Sequence, residues 1–203
     1  KKYKIVLLGE SNTGKTSLMY RIRYSDFHSE NCATVGCEFY SKPYVYDNKE
    51  IKFLFWDTSG QEVFRAFTPQ FSRNARLALV FFDLNSDFDE KFLTKYINEW
   101  IKFTPSDCCV LVIPTKFDLC LEKSLEDYDL VKKLQFNRNI YVAEPTSSKT
   151  NHNIKELQIQ MAQILIKHFY DPNDYDNEPD EVRIDINNTD SIEKDQNSEC
   201  CST

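Results

Sequence analysis

Glycine is almost missing from this chain: four residues in 203, about 2% where roughly 7% is usual. A chain this sparing keeps Gly9, Gly14, Gly36 and Gly60 for places where no side chain fits or φ must be positive. Long apolar runs are missing too. Leu77 to Phe82 is among the longest, far short of the roughly 18 residues that cross a bilayer as a helix, and no secretory leader pattern opens the sequence. The seven cysteines lack the even, patterned spacing of a disulfide framework. Cys32 and Cys37 have the wrong spacing for zinc, with no matching second pair. The five internal thiols therefore read as packed or incidental, in a reducing cytosolic setting. A dense Lys/Arg footprint is absent as well, which argues against a nucleic-acid binder.

The net charge of -7 is unevenly placed. From Tyr170 to Thr203 there are eleven acidic residues against two basic, leaving 23 basic and 21 acidic before it. The body is nearly neutral and the end strongly acidic. Length suits one domain, expected over 1–169. Pro, Asn and Asp then dominate and apolar periodicity stops, so 170–203 reads as a disordered acidic tail.

Two of the glycines lie in Gly9-Glu-Ser-Asn-Thr-Gly14-Lys15-Thr16, which matches G-x-x-x-x-G-K-[ST]. Such a loop turns its backbone N–H groups around phosphates. Its lysine brings a point charge to the β and γ positions, and its hydroxyl ligates Mg²⁺. Context supports the match. Lys4 to Leu8 reads as a buried strand, and Lys15 to Arg23 as a helix whose N-terminal dipole favours phosphate.

Further along, Glu38 to Tyr46 and Ile51 to Trp56 read as a hairpin around a polar turn, Asp47 to Glu50. Pro43 points to an edge position. Leu77 to Phe82, Cys109 to Ile113 and Ile140 to Ala143 read as parallel strands covered on both faces. Asp87 to Phe103 and Ser124 to Gln135 carry helical spacing. Ile154, Leu157, Met161, Ile164, Leu165 and His168 form one helical stripe, and Asn153 with Glu156 suggests a capping-box start. His168 on that stripe reads as packed rather than ligating, and His28 and His152 form no cluster. The alternation predicts an α/β sheet with helices on both faces and ligand loops at the strand ends.

A phosphate loop alone fits kinases, ATPases and GTPases. Four further ordered segments resemble small GTPases of the Ras superfamily, most of all the Rab family, over roughly residues 3 to 169. The resemblance implies a P-loop GTPase fold: a mostly parallel six-stranded sheet with one antiparallel edge strand. It implies GTP/GDP held by Ser11, Asn12, Thr13, Gly14, Lys15, Thr16, Ser17, Phe27, Thr34, Gly60, Thr115, Lys116, Asp118, Ser147, Ser148 and Lys149. Thr34-Val-Gly-Cys-Glu-Phe39 resembles the first switch, and Trp56-Asp57-Thr-Ser-Gly60-Gln61-Glu62 the second. Mg²⁺ would be bound by Thr16, Thr34 and Asp57, with Gln61 orienting the attacking water and Lys15 serving catalysis. Thr115-Lys116-Phe117-Asp118 resembles the guanine-reading motif, and Thr146-Ser147-Ser148-Lys149 the last base-binding loop. Phe39, Trp56 and Phe71 match the aromatic trio that Rab proteins present to effectors, although any one aromatic is more often core. Cys200 and Cys201 resemble a doubly prenylated ending, placing the protein on the cytosolic face of an endomembrane.

The implied activity is GTP hydrolysis as a trafficking switch. Its partners would be an exchange factor, an activating protein, an escort or GDI-type chaperone, GTP-dependent effectors and a membrane. Three departures bear on this. Thr115 stands where most relatives have Asn and many Rho proteins have Thr, and Ser59 and Val63 flank Gln61 where Ala and Arg are usual. They keep two alternatives open: a GTP-binding module that does not hydrolyse, and a Rho-like switch.

Overall fold

The computed structural model describes residues 1–28, 34, 36–58, 68–86, 90–120, 128, 132 and 139–172. Within them, strands β1 (Lys2–Leu8), β2 (Cys37–Tyr46), β3 (Lys49–Thr58), β4 (Leu77–Asp83), β5 (Cys109–Thr115) and β6 (Ile140–Val142) form one sheet. Their spatial order is β2-β3-β1-β4-β5-β6, with β2 antiparallel to β3 and the other pairs parallel. Pro43 therefore lies in the edge strand, as its missing donor led us to expect.

The sheet is covered on both faces by α1 (Lys15–Tyr24), α3 (Glu90–Ile101) and α4 (Ile154–Phe169), with a short α2 (Thr68–Ser72) between β3 and β4. Strand alternation sorts the core. Ile5 and Leu7 join Leu18, Ile22, Phe53, Phe55, Leu157, Met161 and Leu165 on the face of α1 and α4. Val6 and Leu8 join Val80, Val112, Ile97, Trp100 and Tyr128 on the face of α3. At roughly 1.5–3 kcal/mol per fully buried large apolar side chain, these two clusters supply the main drive to fold. The apolar runs of β4 and β5 are buried almost throughout, as parallel strands covered on both faces require.

Two local expectations change. The hairpin turn holds two residues rather than four, because Lys49 and Glu50 pair with Tyr46 and Val45 in the ladder. Asp47 and Asn48 carry the turn at φ 50° and 55°, the positive values that a tight hairpin matched to strand twist demands. Asn153 is not a capping-box residue. It starts α4 at φ 55°, its side chain makes no cap bond, and its amide donates to the Pro145 carbonyl at 2.8 Å instead. His168 is packed as expected, its Nε2 2.6 Å from the Tyr141 hydroxyl. The expected helix over 124–135 lies outside the described residues except Tyr128 and Lys132, both helical.

Candidate active site

Five parallel strands bring their carboxyl ends to one edge of the sheet, so the segments after β1, β5 and β6 and the end of β3 meet there. The loop after β1 is shaped by two glycines. Gly9 lies at φ 142°, and a Cβ on it would stand 2.7 Å from the Phe81 carbonyl oxygen. Gly14 starts α1 at φ 91°, and a Cβ on it would meet the Thr115 side chain only at an ordinary contact distance of 3.8 Å, so backbone conformation rather than room selects glycine there. Asn12 also takes a left-handed φ of 64°. Ser11 and Asn12 are exposed at the loop's tip, Thr13 is buried, and Ser17 is half-buried in the first turn of α1.

Lys15 extends back along this loop. Its ammonium donates to the carbonyls of Gly9 at 2.9 Å and Glu10 at 2.7 Å. Burial is the main influence on it and lowers its pKa to about 8, against the opposing pull of Asp57 and Glu10. A desolvated cation held by its own loop's carbonyls is well placed to gain from an arriving anion.

Beside it the side-chain oxygens of Thr16 on α1, Asp57 on β3 and Thr34 converge. The Thr16 hydroxyl donates to Asp57 Oδ2 at 2.7 Å and lies 2.8 Å from the Thr34 hydroxyl. Asp57 is 3% exposed, and its Oδ1 is buried without a hydrogen-bond partner. Desolvation raises its carboxyl to about 6, with Thr16 and Lys15 pulling the other way. An orphaned buried carboxylate oxygen next to two hydroxyls is a hard-oxygen set that fits Mg²⁺. No trio of His, Cys, Asp or Glu side chains among the described residues offers a competing metal site.

The far side of the site is built from the ends of β5 and β6. Asp118 Oδ1 accepts from the Ser147 hydroxyl at 2.6 Å, its Oδ2 lies 3.9 Å from the Lys149 ammonium, and its side chain is 13% exposed. A carboxylate oriented in this way can accept from paired N–H groups on a purine edge. Lys116 takes φ 59°, pairs with Asp83 at 2.9 Å, and accepts from Asn85 through its carbonyl. Ser148 and Lys149 are fixed from α1, where Arg21 donates to their carbonyls at 2.6 and 3.1 Å. Phe27 is half-buried just beyond α1.

Thr115 joins the two halves. Its hydroxyl lies 2.8 Å from the Thr13 carbonyl and 2.9 Å from that of Phe82, so it ties the phosphate-type loop to β4 and β5. On the outer surface Phe39, 55% exposed, meets the Trp56 ring edge-on at 5.4 Å, and Trp56 lies 6.5 Å from Phe71. The Lys4 ammonium sits 4.3 Å from the centre of the Trp56 ring. Gly60, Gln61, Ser59, Val63, Cys200 and Cys201 lie outside the described residues.

Arg21 and Tyr96 are structural members of the site that the sequence did not single out. Arg21 on a helix reads as a solvated charge, and Tyr96 on the apolar side of α3 reads as core. Their roles depend on partners 127 and 86 residues away. A comparison with protein-family models matches residues 4–167 to the model described as Ras family.

Proposed function

Because this chain belongs to the Ras family, we propose that its guanine-nucleotide switch works in the Rab branch, controlling a step of membrane trafficking. Family membership itself carries GTP and GDP binding with Mg²⁺, GTP hydrolysis in general terms, and regulators and effectors that read the nucleotide state. The finer reading assigns the domain to residues 1–169 and gives 170–203 the role of a lipid-bearing tail.

In this reading Lys15, held by the Gly9 and Glu10 carbonyls, directs its remaining N–H to the β and γ phosphates of GTP. Backbone N–H groups of the loop from Gly9 to Thr16 surround the same phosphates. Thr16, Thr34 and Asp57 would hold Mg²⁺, which supplies positive charge to the transferring phosphoryl group. Gln61 orients the attacking water. Asp118, steadied by Ser147 and Lys149, selects guanine. Thr34 and Gly60 lean on the γ-phosphate, so its loss releases both switches, and the output is a change of shape.

The observation that supports the Rab branch best is the contiguity of Phe39, Trp56 and Phe71 on the surface. Phe39 is 55% exposed, where a core residue would not be, and exposed aromatics in contact mark a binding surface. Pull-downs comparing GTP-loaded and GDP-loaded full chain test this. Partners should be retained selectively by the GTP form and lost on Phe39→Ala. Capture indifferent to both nucleotide and Phe39 overturns the reading.

A further inference from the structure

Tyr96 is 7% exposed in the middle of α3, yet its hydroxyl reaches the phosphate loop. The Glu10 N–H donates to the Tyr96 oxygen at 2.9 Å, and the Tyr96 O–H donates to the Phe81 carbonyl at 2.8 Å. A phenol has one proton. Since that proton goes to Phe81 on β4, the oxygen's lone pairs are left to face Glu10, and the direction of both bonds is set.

The Glu10 N–H and the Gly9 carbonyl belong to the same peptide unit. A peptide is planar and trans, so fixing its N–H on one side fixes its C=O on the other. That carbonyl is one of the two acceptors of Lys15. The other is the Glu10 carbonyl, which also accepts from Thr13 at 2.9 Å. One hydroxyl on a helix outside the nucleotide motifs thus fixes the plane against which the loop's cation is held. The Phe81 carbonyl that Tyr96 holds is also the atom that excludes a side chain at Gly9.

We propose that Tyr96 is a positioning residue for Lys15: its hydroxyl locks the Gly9–Glu10 peptide and thereby slows the escape of phosphate-bearing nucleotide. The proposal rests on the nucleotide binding that family membership carries. The mechanism is geometric. With the lock in place, the loop's backbone and Lys15 keep one arrangement around the bound phosphates. Without it the peptide rotates, Lys15 loses a fixed acceptor, and the loop opens more often.

Tyr96→Phe removes only the hydroxyl and keeps the ring, which meets Trp100 edge-on at 6.3 Å. Dissociation of fluorescent GDP from the full chain with Mg²⁺ present should speed 5- to 30-fold, and the ³¹P resonance of the bound β-phosphate should move. Trp100→Phe, a nearby buried aromatic on the same helix, should leave dissociation within twofold even where it lowers the melting temperature as much. Installing 4-aminophenylalanine at position 96, whose amine both donates and accepts, should restore the slow rate. Should Tyr96→Phe fail to fold, hydrogen exchange in the wild type decides, and a Glu10 amide that exchanges rapidly while GDP stays bound overturns the proposal. It is likewise overturned if Tyr96→Phe and Trp100→Phe change dissociation alike, or if Tyr96→Phe stays within twofold of wild type with an unmoved ³¹P resonance. Loss of GDP binding by the wild type would instead strike the family function.

Discussion

Asp57 should make the nucleotide-free protein less stable than it would be without the charge. Its carboxyl is raised from 3.8 to about 6, chiefly by burial. Tenfold in proton affinity is about 1.4 kcal/mol, so holding this group ionised at pH 7 costs the stripped protein about 3 kcal/mol. Asp57→Asn removes that cost but leaves an amide N–H short of an acceptor, worth about 1–2 kcal/mol the other way. The net gain is about 1–2 kcal/mol, which for a chain of this length raises the melting temperature by about 2–8 °C. The assay is calorimetry on EDTA-stripped protein, with and without GDP and Mg²⁺ added back. Stripped, the variant should melt above the wild type. Loaded, the order should reverse, because the wild-type carboxylate is an anionic oxygen ligand for Mg²⁺ and the variant's neutral amide is a weaker one. The sign of the pH dependence follows. Between pH 3.8 and about 6 the native state binds more protons at Asp57 than the unfolded chain does. Wild-type stability therefore falls through that window as pH rises, relative to the variant. A stripped variant that melts at or below the wild type at pH 7, with parallel pH profiles, would refute the reasoning.

Other outcomes test other parts of the site. Asp118→Asn should weaken GTP by about 1–3 kcal/mol for each N–H left unpaired and admit xanthine nucleotides, measured by competition; ATP binding as tight as GTP in the wild type would defeat the assignment. Gln61→Leu should slow single-turnover phosphate release at least tenfold while GTP affinity stays within a few-fold. Unchanged release would move the role to another group. Changing both Cys200 and Cys201 to Ser should leave the protein wholly cytosolic on fractionation, with either change alone weakening anchoring. The acidic tail gains nothing from an anionic leaflet, and one modest chain anchors only reversibly.

Much of this was legible because the chemistry is local. Gly9 to Thr16 is one uninterrupted segment between a strand and a helix, and the continuous apolar runs of β4 and β5 can be little other than buried parallel strands. The aromatic trio was read from three separate segments, and those three rings do meet. What escaped was long-range or lacked its usual marker. The tight hairpin turn carries Asp-Asn rather than a glycine pair, so its length was overestimated. Short α2 has only Pro69 in its first turn to announce it. Asn153 stood in the right place for a cap, but its amide found the Pro145 carbonyl, a partner that periodicity does not reveal. The bond from Tyr96 to Glu10 follows the same rule, since an interior tyrosine declares its ring in the sequence and its hydroxyl's partner only in the fold.

The scarcity of glycine shapes the unfolded chain as well as the turns. Left-handed conformations that glycine would occupy without strain are held here by Asn12, Asp47, Asn48, Asn74, Asn151 and Asn153, and by Ser25 and Lys116. Each carries up to about 1–2 kcal/mol of backbone strain, least for the Asn and Asp positions. In return, every one of these side chains narrows the conformations open to the chain before it folds. The chain thus begins from a smaller ensemble and loses less entropy on ordering its loops. Substituting glycine at an exposed turn such as Asn48 or Asn74 would relax the native backbone and enlarge the denatured ensemble together. Such turns can drift in sequence with little change in net stability, whereas Gly9, pressed against a carbonyl, cannot.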